Sequence, residues 1–186
     1  MPIPHNARMD KRLPSTFLLS LLLAACASTP KADVTPGATF IVVRHAEKAS
    51  DSARDPDLSA AGLARAQQLA QRLAGERVVA IYTTDYRRTR QTVQPTAQAQ
   101  GVGATVYDAQ QAADAFAASL RAAHPRGTVL VAGHSNTVPG IVAALCACAV
   151  DDMPDREYDR LSLVRVAADG RARLDVQRYG APSPAR

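Results

Sequence analysis

Four apolar runs in this chain of 186 residues each end in side chains able to do chemistry. Residues 40–43 lead into Arg44-His45. Residues 78–82 lead into Thr83-Thr84-Asp85, with Arg87, Arg88 and Arg90 just beyond. The run at 105–107 ends in Asp108, and the run at 128–132 ends in Gly133-His134-Ser135-Asn136. Guanidinium forks match the oxygens of a phosphomonoester and stay charged at any working pH. Imidazole can present a lone pair or a proton near neutrality. A single histidine or arginine at a strand end is usually structural or solvated. Four segments brought to one mouth would be a site.

The elements that must bring them together are legible as alternating patterns. Continuously apolar strands at 40–43, 78–82, 105–107 and 128–132 are separated by helical stretches, which argues for a parallel sheet covered on both faces. The first helix is predicted over 60–74, with Ser59 as N-cap, Gly75 as stop, and Leu63, Ala66, Ala70 and Leu73 on the buried stripe, Arg65 and Arg72 off it. The second is predicted over 86–100, with Pro95 a kink or break. The third covers 109–123, and the fourth starts near Thr137, with Asn136 placed to cap it, and reaches Cys148. Strands at 161–166 and 174–179 follow a polar, acidic loop, with Asp169-Gly170 as a hairpin turn. The fold class expected is α/β: a three-layer α/β/α sandwich with a mostly parallel central sheet. In such sheets ligands sit at the carboxyl ends of the strands, where these side chains stand.

These motifs resemble the histidine phosphatase superfamily, the phosphoglycerate mutase-like fold. Arg44-His45-Ala46 matches its first motif. Thr83 to Thr92 matches its second, in which the register from Gln91-Thr92 selects Arg88. Gly133-His134-Ser135 matches its third, and Asp57-Leu58-Ser59-Ala60-Ala61-Gly62 is similar to its helix start. The likeness implies a metal-independent phosphomonoester hydrolase of the histidine acid phosphatase type, with no cofactor. His45 would be the nucleophile, forming a phosphohistidine that water hydrolyses, with its other ring nitrogen held by a backbone carbonyl. Arg44, Arg88 and His134 would bind the phosphoryl oxygens. The leaving group needs a proton from an acid whose position varies in the family. Asp108 is the candidate, Glu47 the competing one, with Asp114 or water as further possibilities. Arg87 and Arg90 read as entrance or solvated residues. Ser135 is no hydrolase nucleophile, because its surroundings are not a Gly-x-Ser-x-Gly elbow. Two other readings use the same residues: a catalytically idle phosphoanion- or glycan-binding module, and a phosphoglycerate mutase, for which the chain lacks the longer insertions. Specificity is expected from loops 48–57, 86–90 and 138–140.

The formal net charge is +5. Part of it lies in Arg8, Lys11 and Arg12, so the remainder is mildly basic. That suits a phosphorylated small molecule or envelope component, not nucleic acid. Met9-Asp10-Lys11-Arg12 begins an export-signal pattern, with Met9 the better initiator than Met1, and residues 17–25 are apolar but too short to span a bilayer. Leu23-Ala24-Ala25-Cys26 resembles a bacterial lipobox, which implies lipidation of Cys26. The alternative is an ordinary cleaved signal. The expected division is a signal peptide at 1–25, a tether at 26–38, a phosphatase domain at 39–180 and a flexible tail at 181–186. A periplasmic protein held on a membrane follows, the outer membrane being favoured by Ala27. Cys146 and Cys148 read as small buried residues, since two positions on one helix point to different faces and a bridge between them would be strained.

Overall fold

A computed structural model describes residues 37–50 and 54–183 of the chain. The elements in chain order are β1 (Ala38–Arg44), α1 (Ala60–Arg72), β2 (Val78–Thr83), α2 (Arg87–Gln100), β3 (Ala104–Val106), α3 (Ala113–Ala123), β4 (Gly127–Gly133), α4 (Val138–Cys146), β5 (Arg160–Val166) and β6 (Ala172–Arg178). Signal peptide, lipobox and the stretch 26–36 lie outside the described residues. No described helix is long and apolar enough to cross a membrane.

The strands form one sheet in the order β3-β2-β4-β1-β5-β6. The first four run parallel; β5 and β6 are antiparallel additions. Alternation along the strands splits the core into two layers. Phe40 and Val42 of β1 join Val129 and Val131 of β4 against Phe116 and Leu120 of α3 and Ile141 and Leu145 of α4. Ile41 and Val43 join Leu130 against Leu69 and Leu73 on the α1 side and Val93 of α2. Every one of these side chains is almost fully buried. The α/β sandwich is as expected, because strands covered on both faces must be apolar on both.

Several local expectations change. Ser59 does cap α1, its Oγ accepting from Gly62 N at 3.1 Å. The buried stripe is different, however: Leu63 is 53% exposed and Arg65 only 2%. Arg65 turns inward because acceptors await it. It grips the Glu47 carboxylate and donates to the carbonyls of Tyr179 and Ala181, both at 2.9 Å. Pro95 sits inside an unbroken α2, which ends at Gly101 in the left-handed region at φ 65°. Residues 109–112 precede α3 instead of belonging to it. Thr137, not Asn136, stands at the N-cap of α4.

Helix α4 stops at Cys146, and Ala147 takes φ 52°. The chain reversal brings Cys148 back to Cys146, and the two form a disulfide across a Cα–Cα distance of 5.2 Å. The expected obstacle, two positions on one continuous helix, is removed by ending the helix between them. Ala38 begins β1, inside the segment expected as tether. Residues 181–183, expected as tail, are docked, with Ser183 Oγ 2.7 Å from Asp159 Oδ1. The Asp169-Gly170 turn joins β5 to β6 as expected, with Gly170 at φ 84°.

Gly62 marks where α1 meets the loop after β1. A Cβ there would lie 2.3 Å from the Glu47 carbonyl oxygen, which also accepts from Ser59 N at 2.9 Å. Gly62→Ala is therefore expected to lower stability by about 1–3 kcal/mol, although alanine in a helix would ordinarily gain about 0.5–1 kcal/mol. Urea denaturation measures the balance; an unchanged or raised midpoint would contradict the close approach.

Candidate active site

Three neighbouring parallel strands build the site. Arg44 on β1 is in register with Gly133 on β4, and Thr83 on β2 is in register with Ala132. The β1–β4 ladder runs one bond further, with His45 N donating to Gly133 O at 2.9 Å. Arg44-His45, Thr84 to Arg88 and His134 must therefore emerge side by side. Gly133 gives the room for this, since a Cβ there would lie 2.9 Å from both Thr137 Oγ1 and Tyr107 Oη.

His45 is 4% exposed. Its Nδ1 lies 2.8 Å from the Ala46 carbonyl, which can only accept, so Nδ1 carries the proton and Nε2 the lone pair. Burial, opposed by that carbonyl bond and reinforced by Arg44, His134 and Arg88, lowers its pKa from 6.5 to about 3. The His134 ring stands edge-on at 5.4 Å between centroids. Its pKa falls to about 4, from burial first and then from Arg88 and Arg44. Both rings are neutral near pH 7, so the site's fixed positive charge sits on the guanidiniums.

Those guanidiniums rest in part on carbonyls and aromatic rings. Arg44 Nη1 donates to the carbonyls of Pro154, Asp155 and Glu157 at 3.2, 2.7 and 3.2 Å. Its guanidinium carbon lies 4.2 Å from the Tyr158 ring centroid, and that of Arg88 lies 4.2 Å from the Tyr86 centroid. Such cation–π contacts position a cation without discharging it. Arg88 Nη1 is 3.6 Å from Asp55 Oδ1, and Arg88 Nε is buried without a hydrogen-bond partner among the described residues. The second motif is anchored through its last residues. Thr92 Oγ1 accepts from Ala46 N at 2.9 Å, and Gln91 Oε1 accepts from Leu58 N at 2.8 Å.

Together these groups line a cleft of about 620 Å³, along with Lys48, Tyr86, Ala109, Gln110, Ser135, Asn136, Thr137, Asp155, Arg156 and Tyr158. A larger hollow of about 880 Å³ lies beside the acidic segment 151–160. No histidine is among its lining residues, and Glu157 there pairs with Arg160 and Arg178. Among the described residues no group of three or more His, Cys, Asp or Glu side chains is arranged to hold a metal ion.

The sequence-predicted set divides here. His45, Arg44, Arg88 and His134 share the cleft. Asp108 does not line it. That carboxylate is exposed and accepts from Gln110 N at 2.9 Å, closing a local turn while its neighbours Ala109 and Gln110 form the wall. Glu47 is also turned away, its oxygens 3.0 and 3.0 Å from Arg65 Nε and one of them 2.7 Å from Nη2. Asp114 is exposed on the first turn of α3. Arg87 and Arg90 are exposed and pair with Asp57 and Asp85. Of the loops expected to set specificity, 138–140 contributes nothing to the wall; Ser135 to Thr137 and the segment 154–158 do. Tyr86 falls in the expected loop 86–90, whereas Tyr158 and Asp155, which accepts from Ser135 Oγ at 3.3 Å, were not foreseen. Segment 154–158 acts partly through backbone carbonyls, which any sequence supplies, so no residue pattern announces it.

Comparison with known proteins agrees with this geometry. Residues 40–109 match the histidine phosphatase superfamily, branch 1. The chain has no match among curated proteins. Among solved structures it is similar to the protein histidine phosphatase SixA complexed with tungstate, at 20% identity and a TM-score of 0.61, covering 76% of this chain and 96% of that one. A mycobacterial glucosyl-3-phosphoglycerate phosphatase matches at 16% identity and a TM-score of 0.61, over 77% of this chain and 100% of that one. YhfR of Bacillus stearothermophilus matches at 17% identity and a TM-score of 0.62, over 75% and 96%. At such identities the structural likeness is one of fold. The matched stretch contains Arg44-His45-Ala46 and Arg88, and over it the chain is similar to the histidine phosphatase superfamily, whose fold the structural neighbours share.

Proposed function

We propose that this chain hydrolyses phosphomonoesters without a metal, passing the phosphoryl group through His45. The observation that carries the reading is one neutral imidazole, with its lone pair fixed on Nε2, in the same cleft as the Arg44 and Arg88 guanidiniums. Arg44 and Arg88 would hold the equatorial oxygens, where charge spreads as the phosphoryl group transfers. Nε2 bonds to phosphorus as the bond to the leaving oxygen breaks, and its electron pair departs with that oxygen. The departing oxygen then takes a proton. Asp155 is the carboxylate that lines the cleft among the described residues and is assigned that proton ahead of Asp108 and Glu47. Water then releases phosphate from Nε2. Polar walls of Lys48, Gln110, Asn136 and Arg156 suit a polar phosphorylated small molecule or envelope component. Proteins of the same fold named for phosphohistidine and glucosyl-phosphoglycerate substrates support that class.

The signal pattern and lipobox-like Leu23-Ala24-Ala25-Cys26 support a further part of the proposal: export to the periplasm and anchoring through lipid on Cys26. The Cys146–Cys148 disulfide suits an oxidising compartment.

Purified protein is expected to hydrolyse p-nitrophenyl phosphate undiminished in EDTA. His45→Ala should lower kcat/KM on the order of 10³-fold or more, and Arg88→Ala on the order of 10²–10³-fold. Activity abolished by the chelator, or retained by His45→Ala, would contradict the mechanism. Both histidines have folded pKa values below the ordinary 6.5, so the unfolded chain binds more protons below that pH. Stability from these rings is complete above pH 6.5 and is lost as pH falls toward about 4 and then about 3. Nitrogen-15 spectra at about pH 5.5 should accordingly show His45 neutral, with a proton on Nδ1 alone; a doubly protonated ring would refute the assignment. Cys26→Ser should leave the precursor unlipidated and lacking the acyl mass; unaltered mass and membrane association would exclude the anchor.

A further inference from the structure

His134 ends a chain of hydroxyls whose protons can be assigned by elimination. Thr89 Oγ1 lies 2.8 Å from the Tyr86 carbonyl and 3.1 Å from the Thr84 carbonyl, both of which only accept. A hydroxyl has one proton, so the Thr89 proton is committed to a carbonyl. The 2.7 Å contact between Thr84 Oγ1 and Thr89 Oγ1 must then be filled by the proton of Thr84. With that proton committed, the 3.0 Å contact between Thr84 Oγ1 and His134 Nε2 needs a proton from the ring. The neutral ring therefore carries its proton on Nε2 and leaves Nδ1 bare. The other side of the ring agrees: Nδ1 is 3.5 Å from Arg88 Nη2, a group that only donates. Thr84 and Thr89 are 1% and 0% exposed, so water does not compete for these bonds.

A bare nitrogen is the wrong group to meet a phosphate dianion, since both bring lone pairs. We propose that the site takes up its tetrahedral dianion together with one proton, carried on His134 Nδ1, and that Thr84 and Thr89 are the positioning residues that impose this requirement. The inference rests on the reading of the cleft as a phosphate site. Charged and titratable groups around the ring are Arg44 and His45 from the end of β1, Tyr86 and Arg88 at the start of α2, and Asp155 and Tyr158 from the segment before β5. Burial first, and then the Arg88 and Arg44 guanidiniums, keep the ring neutral. An anion between the guanidiniums and the ring reverses the sign of their field and hydrogen-bonds the charged ring, which opposes the burial cost, and protonation becomes favourable.

Sulfate is a suitable probe because it remains a dianion over the range tested. In the wild-type protein its affinity should fall close to tenfold per pH unit from about pH 5 to about pH 6.5. Calorimetry in buffers of different ionisation enthalpy should show about one proton taken up per sulfate. Thr84→Val removes the acceptor of Nε2–H. Thr89→Val, which does not touch the ring, frees the Thr84 proton to point at Nε2. Each lets the neutral ring place its proton on Nδ1, so the pH slope and the proton uptake should both approach zero, while Thr84→Ser retains them. A merely structural role would weaken binding at every pH and leave the slope unchanged. Wild-type binding without proton uptake, or uptake that persists in both valine variants, would overturn the inference. So would nitrogen-15 spectra of the wild-type protein in which His134 Nδ1 stays unprotonated on adding sulfate. Failure of sulfate and inorganic phosphate to bind at all would instead remove the phosphate reading, and this inference with it.

Discussion

The bond from His45 N to Gly133 O is the constraint on which the site depends. It extends the β1–β4 ladder one step past the strands, into the loops that bear chemistry. A one-residue shift in a sheet turns every side chain to the opposite face. The core above and below β1 forbids such a shift, since Phe40 and Val42 fill one layer while Ile41 and Val43 fill the other. The apolar register of the sheet thus fixes where two histidines and an arginine emerge. Ala46 then passes to Thr92, which ties the same loop to α2 and hence to Arg88.

The electrostatic character follows from that placement. Two buried imidazoles beside two guanidiniums are held neutral, chiefly by burial. Arg44 rests on carbonyls and the Tyr158 ring, and Arg88 on the Tyr86 ring, with Asp55 at 3.6 Å. A centre in which Arg44, Lys48, Arg88 and Arg156 outnumber Asp155 favours a ligand that brings negative charge. A close carboxylate–guanidinium pair, Arg65–Glu47, joins α1 to the loop after β1, and Arg65 also reaches the chain beyond β6.

Much of this was legible before the fold was known, because strand-end residues and apolar periodicity are both local signals. Arg44, His45, Arg88 and His134 were found from motifs that follow recognisable strands. What escaped was settled by tertiary partners. Arg65 reads as a surface residue on helical spacing alone, and its burial requires Glu47 and two distant carbonyls. Asp108 has the right position after β3, but its side chain closes a turn on Gln110. The cysteines read as core residues of one helix because nothing in the sequence marked Ala147 as the reversal. Tyr158 and its neighbours lie far along the chain from the arginine that they hold.

The account turns on His45 Nε2 as the atom that accepts the phosphoryl group. Its most direct test is to quench the protein during turnover of a labelled phosphomonoester, under alkaline conditions that preserve phosphohistidine, and to map the label. The account predicts a phosphoryl group on Nε2 of His45, lost in His45→Ala. Label on Nδ1 of that ring, on His134 or on another residue, or turnover without any labelled protein under conditions that preserve phosphohistidine, would contradict it.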